Sequence, residues 1–217
     1  MFTGLIQDVG HIADIQQNAE GATLWISTNL DMSDWEIGES VACNGACLTV
    51  TAMKEGAFSV DCALETLRVT TFGKATKGTK LHLERAMQIG DRLGGHLVSG
   101  HVDDMGTVRA IRDEGNSRVI EIEIPEQWRR YFIPKGSISV DGVSLTVHEL
   151  LEDSFVLWII PHTLEKTHLG EYRPGTRVHL EVDQVGKYIE RMLAPWRDAM
   201  HKTDGIDIDF LKQHGFV

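Results

Sequence analysis

Two hydroxyls nine positions apart, Ser40 and Thr49, recur 97 residues later as Ser137 and Thr146, and between them the thiol of Cys47 is replaced by the hydroxyl of Ser144. If these side chains face the mouth of a pocket, the threonines become ligand donors and Cys47 a thiol lining the ligand's surroundings. Each also has a plain structural use: threonine suits a strand, serine caps turns, and a cysteine between Ala46 and Leu48 is a small buried hydrophobe. Other matched positions differ more. Leu5 answers to His101, Asn44 to Asp141, Glu65 to His162 and Ala86 to Asp183, so groups able to move protons are shared unequally. Asp183 follows the apolar run VHLEV and must lie at the surface or be held by a specific partner, because an unpaired buried carboxylate is costly. There is no G-x-S-x-G elbow, no Walker A loop and no G-x-G-x-x-G opening a helix, which sets aside serine hydrolases and the usual nucleotide folds. His96 and His101 lack the companions of a tetrahedral zinc shell, so no metal is expected.

The elements that must position these residues are written twice. With a shift of 97, SVACNGACLTV (40–50) falls on SISVDGVSLTV (137–147) and KGTKLHLE (77–84) on PGTRVHLE (174–181). From Ser40 to Glu84, 16 of 45 ungapped pairs are identical, against about three by chance. A shift of 96 aligns GLIQDVGHI (4–12) with GHVDDMGTV (100–108). The reading is a first domain at 1–95, a second at 96–186, and a C-terminal helix with a tail at 187–217. Short runs rich in Val, Ile, Thr and Leu, broken by turn residues, predict antiparallel β structure in each copy. Asn44-Gly45 and Asp141-Gly142 are hairpin dipeptides that tolerate positive φ. The predicted fold class is all-β, two small barrels in tandem. Helical turns are expected at ETLRVTTF (65–72) and its counterpart, at EQWRRYF (126–132), and from Lys187 onward. In that last segment Ile189, Met192, Leu193, Trp196 and Met200 form an apolar stripe that Pro195 should kink or restart. The end, GIDIDFLKQHGFV, has no clear period and reads as a loose or docking tail.

Composition narrows the partners. The chain has 217 residues, 42% hydrophobic and 24% charged, with a formal net charge of −11, which disfavours nucleic acid and anionic membranes. Its longest apolar runs, such as FVLWII (155–160), fall far short of a membrane span. Three cysteines and an N-terminus without a basic and apolar leader point to a reducing cytoplasm.

MFTG, NGACLTV, GDRLGGHLVSGHVD, KGSISVDGVSLTV, IIPHTLE and HLEVDQVGKYIER together resemble the riboflavin synthase family of duplicated lumazine-binding proteins, over residues 1 to about 195. The resemblance implies two six-stranded Greek-key barrels, a C-terminal helix that mediates a homotrimer with sites between subunits, and no cofactor. It implies the conversion of two molecules of 6,7-dimethyl-8-ribityllumazine to riboflavin and 5-amino-6-ribitylaminouracil. Carried over by motif, the first barrel's ligand contacts are Gly4, Leu5 and Ile6, then Cys47, Leu48 and Thr49, then Asp61, Cys62, Ala63, Leu64, Glu65 and Thr66. Those of the second are Gly100, His101 and Val102, Lys135, then Ser144, Leu145 and Thr146, then Trp158, Ile159, Ile160, Pro161, His162 and Thr163. Positions sensitive for catalysis in the family map to Phe2, Ser40, Cys47, His101 and Asp183. Ala46 stands where a second cysteine can occur, and DCALET (61–66) departs from a DVMPET-like segment. A non-catalytic lumazine- or flavin-binding relative is the alternative within the same barrels, and a β-barrel that recruits a protein partner is a third reading.

Overall fold

The computed structural model describes residues 1–201 and 208–215. Among them, twelve strands close into two antiparallel barrels within the compact unit Met1–Gln184. The first comprises β1 (Asp8–Asn18), β2 (Gly21–Ser27), β3 (Ser40–Cys43), β4 (Ala46–Lys54), β5 (Ala57–Ala63) and β6 (Lys80–Arg85), in the ring order β1-β2-β5-β4-β3-β6. The second repeats it with β7 (Asp104–Glu114), β8 (Ser117–Glu123), β9 (Ser137–Val140), β10 (Val143–Leu150), β11 (Ser154–Ile159) and β12 (Arg177–Val182), in the order β7-β8-β11-β10-β9-β12. In both, the chain leaves the second strand and crosses the barrel to a strand that is not its neighbour, the Greek-key step.

Alternation along the strands sends one set of side chains inward. Leu24, Ile26, Val41, Val50, Phe58 and Leu83 fill the first core, and Ile120, Ile122, Val140, Val147, Phe155 and Leu180 the second. Closing so small a sheet needs extra twist, which bulges supply. Register slips between Ile12 and Asp14 and between Val50 and Ala52, and again at the matching Val108/Ala110 and Val147/Glu149.

Both predicted hairpin turns form, with positive φ at Asn44 and Gly45 and at Asp141 and Gly142. Their tips meet: a Cβ on Gly45 would lie 2.7 Å from the Gly142 nitrogen. Around that contact the barrels exchange equivalent bonds. The His82 Nδ1–H donates to the Asp141 carbonyl (2.9 Å) and the His179 Nδ1–H to the Asn44 carbonyl (2.8 Å). Each Nε2 accepts a backbone N–H, from His168 (3.0 Å) and Thr71 (2.8 Å), which fixes the neutral tautomer of both rings. His82 is fully buried. Burial holds its ring well below the usual imidazole range, and the adjoining His168 ring acts in the same direction.

The helical expectations are met in part. Residues 64–69 form α1 (Leu64–Val69), but the chain then tightens into a 3₁₀ turn at Thr71–Lys74; α2 (Pro161–Lys166) is its counterpart. EQWRRY is a 3₁₀ turn. The long helix α3 begins earlier than expected, at Gln184, where the first compact unit ends, and continues through Pro195 to His201 within the second unit, Val185–Val217. Tyr188, Ile189, Met192, Leu193 and Trp196 on it are exposed. The tail contains a short helix, α4 (Ile208–Gln213), where no period was legible, while residues 202–207 and 216–217 lie outside the described residues. Among the described residues no helix is long and apolar enough to cross a membrane.

Candidate active site

Two tight turns, MFTG and VSGH, organise the site. In the first, both the N–H and the hydroxyl of Thr3 donate to Glu84 Oε1 (2.7 and 2.6 Å), and the Gly4 N–H donates to Oε2 (2.9 Å). In the second, Ser99 and Gly100 make the same three bonds to Glu181, at 2.6, 2.7 and 2.9 Å. Each glutamate is the penultimate residue of the last strand of its own barrel, so each turn is anchored by its own repeat.

Each turn is docked on the other repeat. The Ser144 N–H donates to the Gly4 carbonyl (2.8 Å), and the Cys47 N–H to the Gly100 carbonyl (2.8 Å). Glycine is required at both places: φ is +76° at Gly4 and +84° at Gly100, and an added Cβ would stand 2.5 Å from the Cβ of Ser144 or of Cys47. Farther along, Ile6 packs on the second core and Val102 on the first. This corrects the expected pairing, in which Gly4, Leu5 and Ile6 served the first barrel and Gly100, His101 and Val102 the second. The motif order follows the chain, whereas the turns cross between barrels.

Two equivalent patches result. Beside Gly100, His101 and Val102 lie half-buried Cys47 and exposed Thr49, on a barrel whose outer face also carries Asp61, Ala63, Leu64 and Glu65, with Thr66 partly covered. Beside Gly4, Leu5 and Ile6 lie Ser144, Leu145 and Thr146, on a barrel whose outer face carries Lys135, Trp158, Ile160 and His162, with Pro161 and Thr163 partly covered. Leu48, Cys62 and Ile159 turn into the cores. Ser40 pairs with Thr49 across β3 and β4. Phe2, expected at the reaction, is fully buried with Ala42 and Val98, and Cys47 packs against this cluster. It supports Cys47 from beneath and bridges to Val98 through two main-chain bonds of 2.7 and 3.0 Å.

Cys47 is the one thiol with partial exposure; Cys43 and Cys62 are buried. Burial lifts the Cys43 thiol well above its ordinary range and pushes Cys62 up to about 12. Reactive thiol chemistry near neutral pH is therefore confined to Cys47.

His96 is the residue that motif reasoning missed. Its Nδ1 lies 2.7 Å from the Ser144 hydroxyl; burial lowers its pKa, and the Asp183 carboxylate pulls it the other way. Asp183, in a different motif, thus reaches the second patch electrostatically through His96. Comparing the copies could not reveal His96, because it lies in the connection between them. The signal was Gly94-Gly95 before it: a Cβ on Gly95 would meet the Thr3 carbonyl at 2.1 Å. A cleft of about 370 Å³ elsewhere on the second barrel, lined by Met105, Glu123, Glu126 and Arg177 among others, includes none of the expected residues.

Residues 3–86 and 99–183 each match the lumazine binding domain. The chain is 43% identical to riboflavin synthase of Actinobacillus pleuropneumoniae and 38% identical to that of Bacillus subtilis (strain 168), along the whole of both chains in each case. The chain belongs to the riboflavin synthase family. Among solved structures it is similar to LumP complexed with riboflavin, with a TM-score of 0.77 and 25% identity over 84% of this chain and 99% of LumP. The two matched lumazine binding domains account for the doubling of the barrels and of the turns that dock between them.

Proposed function

We propose that the protein is a transferase of riboflavin biosynthesis that converts two molecules of 6,7-dimethyl-8-ribityllumazine into riboflavin and 5-amino-6-ribitylaminouracil. The observation that carries this reading is a pair of pseudo-equivalent patches with unlike side chains, Cys47 in one and Ser144 with His96 in the other, in a chain related end to end to riboflavin synthases. The reaction makes one demand of its host: two identical substrates must behave differently. One loses a proton from its 7-methyl carbon and the other is attacked by the carbon so formed, after which a four-carbon unit changes rings with no net oxidation. Holding two flat rings face to face contributes up to about 7–11 kcal/mol, and acid–base help a further factor of roughly 10² to 10⁴. His96, kept neutral by burial, is suited to exchanging protons with Ser144 or a ligand beside it.

The working site lies between subunits of a homotrimer, with a first-barrel patch facing a second-barrel patch of the neighbour. The exposed apolar stripe of α3 supports this assembly, and three free cysteines suit a reducing cytoplasm. The likeness to LumP favours one alternative, a protein that binds lumazine or flavin without turnover. Incubating the purified chain with the lumazine separates the two. One riboflavin formed for every two lumazines consumed supports the enzyme, and saturable binding with no riboflavin refutes it.

A further inference from the structure

Outside the Asn-Gly and Asp-Gly turns, Lys135 is the one non-glycine among the described residues with a positive φ, +66°. Its counterpart in the first repeat is Gly38, at +98°. Both make the same bond to the fourth strand of their barrel, Lys135 N–H to the Val147 carbonyl (2.7 Å) and Gly38 N–H to the Val50 carbonyl (2.9 Å). A long side chain kept in a strained conformation that glycine serves more easily points to a use for that side chain. The Lys135 ammonium lies 3.2 Å from His148 Nδ1, and the His148 ring lies over Trp158, with centroids 5.0 Å apart and planes inclined at 34°.

These groups share one face. Val147 and Leu157 pair across β10 and β11 and point into the core, whereas Thr146, His148 and Trp158 are exposed, and the ring contact puts His148 and Trp158 on one face. The first barrel differs at the matching positions, and its own cation–indole pair, Lys54 over Trp25 at 4.2 Å, lies elsewhere on β4 and β2. Gly38, Thr51 and Asp61 occupy the matching positions, and Asp61 accepts a hydrogen bond from Thr23 (2.7 Å). At these positions one patch thus has an ammonium tied through His148 to an indole where the other has a carboxylate. We infer that His148 is a positioning residue of the second barrel, holding the Lys135 ammonium and the Trp158 indole as one wall that favours the anionic form of a pteridine bound against Thr146.

The inference rests on the proposed lumazine chemistry and deepens it, because it makes the second-barrel lumazine the one that ionises. In that step a methyl C–H bond breaks, the proton passes to solvent or a neighbouring base, and the electron pair spreads over the pteridine ring. The ammonium stabilises that charge, and Asp61 opposes it on the other barrel. Beyond Lys135 and His148, the ionisable side chains on the elements carrying this wall are Glu149 on β10 and His162, Glu165 and Lys166 on α2; β9 and β11 contribute none.

The test mixes protein with excess 6,7-dimethyl-8-ribityllumazine in a stopped-flow spectrometer. It reads the anion fraction of the bound ligand before turnover across a pH series, with kcat and KM measured alongside. His148→Ala and Lys135→Met should each lower the anion-to-neutral ratio at a given pH about tenfold, the lower end of what one nearby charge does. The double variant should lose no more than either alone, and His148→Asn, which restores an acceptor near the Nδ1 position, should recover most of the loss. Anion fractions within twofold of the unchanged chain, or an Asn variant no better than Ala, would overturn the inference. Failure of the unchanged chain to form riboflavin would overturn the proposed function instead, and it leaves this measurement intact because the anion reading needs binding only.

Discussion

Substituting Gly100 by Ala tests the crossing of the two turns, because by chain order the residue belongs to the second repeat whereas in space it serves the first. An alanine Cβ there would lie 2.5 Å from the Cys47 Cβ, 2.9 Å from Phe2 Cε2 and 3.0 Å from the Cys47 nitrogen. Crowding of that kind costs about 1–3 kcal/mol, and the left-handed backbone at φ +84° adds about 1–2 kcal/mol for a residue with a Cβ. The strain falls on the turn and on the 2.8 Å bond from Cys47 N–H to the Gly100 carbonyl. At about 1.4 kcal/mol per tenfold, even the smallest of these totals raises the population with an open turn more than tenfold. Alkylation by iodoacetamide reports that opening at one place, since Cys43 and Cys62 are buried with raised pKa values. Quantified by peptide mass spectrometry near neutral pH, Cys47 in Gly100→Ala should react at least about tenfold faster than in the parent. Gly4→Ala, crowded instead against Ser144 at 2.5 Å, should leave the Cys47 rate within about twofold. Equal acceleration by both, or by Gly4→Ala alone, would refute the crossed arrangement.

Acid should loosen the contact between the barrels. The folded pKa of His82 is depressed, so the unfolded chain takes up the proton first, and stability present above the unfolded value of about 6.5 is lost as pH falls below it, by up to about 1.4 kcal/mol per pH unit. Urea unfolding at several pH values should show a flatter profile for His82→Asn; an unaltered pH slope would count against the assignment. Cys47→Ser and His101→Ala should lower kcat more than lumazine affinity, whereas parallel losses in both would reduce these residues to substrate positioning. His96→Ala should lower kcat about 10²-fold and flatten the low-pH limb of its profile, and an unchanged limb would leave His96 only a packing role. Finally, Cys47→Ala co-assembled with the double variant Ser144→Ala and Thr146→Ala should regain activity above either parent if sites span subunits. Demonstrably mixed oligomers that stay inactive would exclude such sites.

Much of this fold is legible in the chain because its determinants are local or written twice. The Asn44-Gly45 and Asp141-Gly142 turns need positive φ whatever surrounds them, and period-two burial follows from strand geometry. Comparing the copies located Cys47 against Ser144 without any coordinates, since a substitution at a matched position is visible along the sequence. Tertiary structure decided the rest, through contacts between residues far apart in the chain. That Gly4 serves Ser144 and Gly100 serves Cys47 depends on how two closed barrels meet at Gly45 and Gly142, and the spacing of motifs is the same whichever barrel a turn crosses to. Phe2 lies at an N-terminus and is fully buried only because Val98 and Ala42 close over it. His96 has no copy to be compared with, and its tie to Ser144 spans 48 residues. A repeated sequence specifies two similar barrels, but the unlike surroundings of their patches arise where the copies touch, a relation between distant residues that neither repeat contains alone.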